Sequence, residues 1–274
     1  MRADSVDEAQ SFTVPSRVSF DGGTLEFLPT AVGEKLYFGA ASKLSDVPRY
    51  FRATFTAAGA ATLEPVLLPG SVASVLGWPR FAAIPDAGVA LAYRDGRSIA
   101  RLATSADGLD FNGPVTSPDA NAAAAMAAIA YFSDGLLAYT QQANEGSAPM
   151  ISRVRTSRDG ISWSAGLPVN EHSSNVHDTF PFRRSDGDVD LYYIYPAGGR
   201  GFSLFRRHLS NSGVLGPEQR VTVNSLGDPS KPTAHRLSNG KIFLTFADIT
   251  ERAPQGWPIR QQLVVVTLAG DAPP

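Results

Sequence analysis

Three carboxylates, Glu26, Asp178 and Asp228, stand far apart in the chain, each at the head of a strand-like run: TLEFLP, VHDTFPF and GDPSKPTAHRL. Two carboxyl groups facing one another across a cavity are what hydrolysis of a glycosidic bond requires, one as acid and one as base or nucleophile. Cations and rings stand at matching places. Trp78 and Arg80 lie in GWPRFAAIP, His177 precedes Asp178, Lys231 follows Asp228, and Trp257 sits between Pro254 and Pro258. Guanidinium and ammonium groups orient a polar ligand, and an aromatic face suits a sugar ring. The expected roles are Asp178 and Asp228 as acid and base with Glu26 assisting. Trp78, Arg80, His177, Lys231 and Trp257 would bind the ligand. A second reading stays open: the same charges pair across a channel and only hold the molecule together.

These residues act together only if distant strands converge, and a repeat provides for that. A glycine turn is followed within a few residues by an aromatic closing an apolar run, five times: Gly33/Tyr37, Gly88/Tyr93, Gly135/Tyr139, Gly187/Tyr193 and Gly240/Phe246. The glycines are 55, 47, 52 and 53 residues apart. A second strand-like run enters Gly59, Gly108, Gly160, Gly213 and Gly270, and a Pro then Val follows the first four. A period of this length, made of strands and tight turns, reads as a β-propeller blade. The predicted fold is one all-β domain, 1–274, a five-bladed propeller with blades near 24–68, 72–116, 122–170, 176–224 and 230–270. Strand 11–19, in SFTVPSRV, would complete the last blade; a six-bladed ring is the alternative. Strand parity puts the short glycine turns on one face and the long connections on the other. Long loops on a rigid scaffold are where binding chemistry is built, so the axial mouth of that face is the expected site.

Ser105-Ala106-Asp107-Gly108-Leu109-Asp110-Phe111 and Ser157-Arg158-Asp159-Gly160-Ile161-Ser162-Trp163 share the form Ser-x-Asp-Gly-x-x-aromatic at equivalent turns. This resembles the Asp-box, or BNR, repeat of the sialidase-like propeller superfamily. TAAGAATL, SNSGVLG and LAGDAPP depart from the form. Within each matching turn the glycine supplies a positive φ and the carboxylate accepts turn amides, a structural role. The resemblance implies a carbohydrate-directed protein, secreted or periplasmic. GWPRFAAIP also loosely resembles a sialidase segment whose arginine binds the substrate carboxylate, which only Arg80 would match. A sialidase further uses a tyrosine nucleophile, a role to which Tyr193 would have to be assigned. Five-bladed glycosidases of the arabinanase and invertase type use three carboxylates from different blades, and Glu26, Asp178 and Asp228 agree in number. The third inner strand, NAAAAMAAIAYF, lacks an acid.

The remaining composition narrows the partners. With 24 basic and 26 acidic residues and a net charge of −2, the chain lacks a nucleic-acid footprint. No apolar run reaches the length of a membrane span. The absence of cysteine excludes disulfides and thiolate metal sites. Asp186, Asp188 and Asp190 alternate as in a calcium loop, but Leu191 and Ala197 stand where the required Gly and Glu would be. The histidine pair His172 and His177 lacks a third ligand at a recognisable spacing. No cofactor or metal is expected, and a monomer is. The opening MRADSVDEAQ carries no apolar signal region within the given chain. Three functions remain: binding or hydrolysis of a glycan, a non-catalytic grip on a protein partner, or another small-molecule chemistry at the same mouth.

Overall fold

Alternating apolar side chains between turn glycines dictate short antiparallel strands joined by hairpins. The computed structural model describes residues 25–41, 49–55, 61–69, 77–84, 88–95, 99–118, 124–131, 137–143, 151–171, 176–196, 202–221, 227–237, 239–252 and 258–268. For most of the first strand, for 124–131, 137–143 and 258–263, and for Trp78 and His177, it describes the backbone path alone. Every regular element among these residues is a strand. None of the described residues forms a helix long and apolar enough to cross a membrane.

The strands form five meandering sheets, each built from consecutive segments. The first holds β1 (Leu25–Val32), β2 (Lys35–Ala41), β3 (Arg49–Phe55) and β4 (Ala61–Pro65). The second holds β5 (Gly77–Ile84), β6 (Gly88–Arg94), β7 (Ala100–Ser105) and β8 (Val115–Thr116). In the third are β9 (Ala124–Tyr131), β10 (Leu137–Ala143), β11 (Ile151–Ser157) and β12 (Leu167–Pro168). The fourth comprises β13 (His177–Arg183), β14 (Val189–Pro196), β15 (Phe202–Leu209) and β16 (Gln219–Arg220). The fifth comprises β17 (Asp228–Arg236), β18 (Ile242–Arg252) and β19 (Pro258–Leu268). The first strand of each sheet packs on the next: β1 on β5, β5 on β9, β9 on β13 and β13 on β17. The fold is an all-β propeller with five blades. Residues 11–19, expected to complete the fifth blade, lie outside the described residues.

Apolar layers between blades hold them face to face. Tyr37, Tyr50 and Val66 of blade one meet Phe81, Leu91, Tyr93 and Phe111 of blade two, with Tyr37 stacked on Phe81 at 4.4 Å. Val154 and Val169 of blade three meet Leu191, Tyr193 and Phe205 of blade four. Tyr192, Ile194 and Leu204, on the opposite side of blade four, meet Leu244 and Phe246 of blade five. Alternate residues of β14 therefore serve two different interfaces, which is the period-2 rule of a strand buried on both faces.

The short-turn end is closed by its own hydrogen bonds. Asp107 Oδ1 accepts the amides of Leu109 at 2.8 Å and Asp110 at 3.1 Å, and the Ser105 hydroxyl at 2.8 Å. Asp159 does the same with Ile161, Ser162 and Ser157, at 2.8, 2.7 and 3.0 Å. The backbone amides, first, hold both carboxyl groups down to about 2. Gly108 stands at φ +72°, and a side chain there would strike the Tyr37 hydroxyl. The alternating aspartates form a hairpin network instead of a calcium loop. Asp186 pairs with Arg184 at 3.0 Å and Asp188 with His208 at 2.8 Å. Asp190, fully buried, lies 3.5 Å from both Arg184 and Arg206. Among the described residues no acidic or histidine cluster has the makings of a metal site.

Two outcomes follow from this end of the molecule. A folded-state value near 2, against the ordinary aspartate value of 3.8, means that Asp107 and Asp159 stabilise fully above that ordinary value. Their contribution fades as pH falls toward the lower value. The melting-temperature gap between the parent and the Asp107→Ala/Asp159→Ala variant is therefore expected to narrow between pH 5 and pH 2, as read by circular dichroism. Asp190→Ala removes the carboxylate that the buried Arg206 guanidinium faces at 3.5 Å and is expected to destabilise the fold by about 3 kcal/mol in urea unfolding.

Candidate functional site

The inner strands share one irregularity. In each, near its N-terminal end, the register with the second strand slips by one residue, so that two residues oppose one. The doubled pairs are Leu28–Pro29, Trp78–Pro79, Asp178–Thr179 and Lys231–Pro232, and in blade three Ala125 is the extra residue, between the Met126–Gln142 and Ala124–Ala143 pairs. A β-bulge of this kind bends the strand and re-aims the side chain that it carries. Proline is tolerated in a strand at such an unpaired position. The residue opposite the bulge is Phe38, Tyr93, Gln142, Tyr193 and Phe246 in turn. The repeat aromatic read from the sequence thus sits against the bulge in blades two, four and five. In blade one the equivalent residue is Phe38 rather than Tyr37, and in blade three Gln142 rather than Tyr139. The cause is the uneven distance from turn glycine to bulge.

Two first-bulge residues have left-handed backbones without being glycine: Asp178 and Lys231, both at φ 51°. Bulges with this conformation at the first residue normally carry glycine. The two are joined. Asp178 Oδ2 accepts the Ser230 hydroxyl and the Lys231 amide, each at 3.1 Å. On its other side the same bulge is tied to blade three, through a buried 2.7 Å hydrogen bond between Thr179 and Ser152. Asp178 is half-buried, and its Oδ1 has no hydrogen bond among the described residues. Lys231 is exposed, and its ammonium forms no ion pair among them.

Arg80 follows the bulge of β5 and is half-buried. Its one hydrogen bond among the described residues is a long 3.5 Å contact to the Pro79 carbonyl. Burial lowers its pKa, and the Asp178 charge opposes that shift. The two groups sense each other across blade three without forming an ion pair. Asp228, at the head of β17, has a carboxylate partly committed elsewhere: Oδ1 accepts the Phe202 amide of blade four at 3.0 Å. Just before it, the Gly227 amide donates to the buried Asp248 at 3.1 Å.

The other expected site residues are placed by backbone only. Glu26 pairs with Ala40 on β1, two residues before the bulge, and His177 pairs with Ile194 immediately before Asp178. Trp78 is itself a first-bulge residue. Trp257 lies outside the described residues, as do the connections 42–48, 70–76, 144–150, 197–201 and 253–257. Tyr193, the residue a sialidase nucleophile would require, is fully buried between blades and donates to Glu218 Oε2 at 2.7 Å. Burial, first, and this hydrogen bond push its phenol up. Sequence reasoning missed Ser230 and the bulge itself. The Leu28-Pro29, Trp78-Pro79 and Lys231-Pro232 dipeptides inside strand patterns were the available signal.

No protein-family model matches the chain, and no curated protein does. Solved structures do match in shape. A protein of unknown function from Dyadobacter fermentans superimposes with a TM-score of 0.65 at 13% identity, over 89% of this chain and 79% of its own. A thermostable family-43 glycoside hydrolase gives 0.57 at 14%, over 91% and 92%. An α-L-arabinanase from Penicillium chrysogenum, solved with arabinobiose, gives 0.58 at 13%, over 81% and 77%. At such identities the likeness is one of fold. It lies with β-propeller glycoside hydrolases, whereas the Asp-box resemblance rests on the two turns alone.

The left-handed backbone at Lys231 makes a stability measurement informative. Lys231→Gly removes the steric cost of φ 51°, and the exposed side chain takes no buried contact with it. The variant is expected to be more stable by about 1 kcal/mol in chemical unfolding. A loss of stability would show that the Lys231 side chain is itself a structural prop.

Proposed function

We propose that this protein binds a saccharide at the axial mouth formed by the inner-strand bulges and hydrolyses a glycosidic bond there. The observation that carries the reading is the joined pair of left-handed residues, Asp178 and Lys231. Strain of about 1–3 kcal/mol per residue is retained where a specific side chain is needed at that place; glycine would relieve it at both positions. Asp178 has one oxygen fixed by two donors and the other without a protein hydrogen bond among the described residues. That is how a general acid or base is held for a ligand. Arg80 and Lys231 orient polar groups of the ligand, and Trp78, His177 and Trp257 complete its contacts. Asp228 serves as the second carboxylate, with Glu26 assisting. The likeness to β-propeller glycoside hydrolases supports the saccharide as the ligand class. One observation favours a non-catalytic protein instead: an Asp228 oxygen already bonded to the Phe202 amide.

The test is a glycan-array and aryl-glycoside screen of the intact protein, with arabinobiose and xylotriose as soluble probes. The parent is expected to retain a saccharide and to turn over at least one glycoside. Asp178→Asn is expected to lower kcat by about a hundredfold or more with little change in melting temperature. Asp228→Asn is expected to lower kcat as well, with a loss of stability from its tie to Phe202. Saccharide binding without turnover would leave a lectin-like propeller. Neither binding nor turnover would sink the proposal.

A further inference from the structure

We infer that Ser230 is the positioning residue for Asp178: its hydroxyl and the Lys231 amide together hold Oδ2, so that Oδ1 is the atom that takes up or gives away the proton. The role belongs to the hydrolysis proposed above and rests on that reading, whereas the hydrogen bonds stand without it. Asp178 Oδ2 accepts the Ser230 hydroxyl and the Lys231 amide, each at 3.1 Å, and Oδ1 accepts no hydrogen bond among the described residues. A carboxylate oxygen has two lone pairs. Two donors occupy those of Oδ2, and a proton placed there would displace one of them. Oδ1 is left as the proton-carrying atom, whether Asp178 serves as acid or as base. The same two bonds keep the carboxylate from turning about χ2 and exchanging its oxygens.

The sequence builds these donors into a stiff segment. Pro229-Ser230-Lys231-Pro232 sets the hydroxyl between two buried prolines, whose rings fix φ on either side. Ser230 pairs with Ala247 of β18 and pairing resumes at Thr233. The bulge between them releases the Lys231 amide from the ladder, and the amide donates to blade four instead. Left-handed backbones at Asp178 and Lys231, both at φ 51°, accompany this crossing. From the other side, Thr179 is held to Ser152 of blade three through a buried 2.7 Å bond. The backbone of Asp178 and its carboxylate are thus fixed from different blades. The cations nearby leave Oδ2 to these donors. Arg80 of β5 acts on Asp178 through its charge alone, its one hydrogen bond going to the Pro79 carbonyl, and the Lys231 ammonium forms no ion pair among the described residues.

The test joins carbon NMR of labelled protein to kinetics. The Asp178 carboxyl resonance is identified by its loss in Asp178→Asn. Ser230→Ala is expected to move that resonance, and Ser230→Thr, which keeps a hydroxyl, to return it most of the way. On the glycoside turned over in the screen, Ser230→Ala is expected to lower kcat about tenfold with KM unchanged. Ser230→Thr is expected to recover most of that loss. Because Ser230 acts through Asp178, adding Ser230→Ala to Asp178→Asn is expected to cost nothing further. A resonance indifferent to Ser230→Ala would overturn the inference. So would an equal fold loss of kcat in the two backgrounds, or a rise in KM alone. A resonance moved by alanine and restored by threonine, in a parent that neither binds nor turns over a saccharide, would uphold the grip on Oδ2 and discard the saccharide reading.

Discussion

Five strands run side by side around a common axis, and each must bend where it enters the molecule. An extra residue near the N-terminal end of every inner strand accomplishes this. The bulge interrupts the ladder, frees one residue from pairing and turns its side chain away from the sheet. Everything distinctive about the mouth follows from it. Prolines are accommodated in strand interiors at Pro29, Pro79 and Pro232, and charged residues occupy positions where glycine would relax the chain. Without the bulges Asp178 and Lys231 would alternate into the blade faces like their neighbours.

The bulge of blade four is also a junction. Thr179 is bonded to Ser152 of blade three, and Asp178 to Ser230 and the Lys231 amide of blade five. Three successive blades are thereby registered through polar bonds at one end. Elsewhere the same task falls to other groups. Glu218 accepts the hydroxyls of Tyr193 and Tyr195, and its amide donates to Glu171 of blade three at 3.0 Å. Arg52 of blade one bonds Glu64 at 2.8 Å and the carbonyl of Asp107 in blade two. Between these ties lie the stacked aromatic layers, which bury large apolar areas. Non-directional burial holds the blades together, and the directional bonds fix how each is rotated about its neighbour. That division makes the scaffold rigid enough to keep Asp178 and Lys231 in backbones they would not adopt alone.

Glycine spacing was enough to read the blade count, because φ > 0 turns have few alternative residues. The Asp107 and Asp159 turns were legible for the same reason: a short acceptor, a glycine and an aromatic in fixed order leave one geometry. Asp178 and Lys231 were found as polar residues at strand beginnings, but their joining was not. Their backbone conformation is unusual for their residue types, so the propensities of Asp and Lys predict something else. Ser230 carried no signal, since a serine beside a proline suits any loop. Asp228 was read for its charge, whereas its carboxylate also bonds a distant amide that only the assembled sheets bring near. The aromatic landmark slipped by one residue in blade one and by three in blade three because the turn-to-bulge distance is not constant.

The two ends of the propeller differ in how their polar groups are satisfied, and this bears on which end meets a ligand. At the short-turn end Asp107 and Asp159 each take turn amides and a serine hydroxyl, while Asp190 is enclosed by Arg184, Arg206 and His208. Each of these carboxylates is met by donors of the chain itself, the two turn aspartates by amides and hydroxyls and Asp190 by the cations around it. At the bulge end the opposite holds. Arg80 has one long contact to a neighbouring carbonyl, Lys231 has no ion-pair partner and Asp178 has one unengaged oxygen among the described residues. A half-buried guanidinium without a carboxylate beside it is destabilising unless something polar completes it. A ligand rich in hydroxyl groups can meet that need. The strain and the unmet polar capacity thus coincide at one end, the end at which the saccharide is proposed to bind.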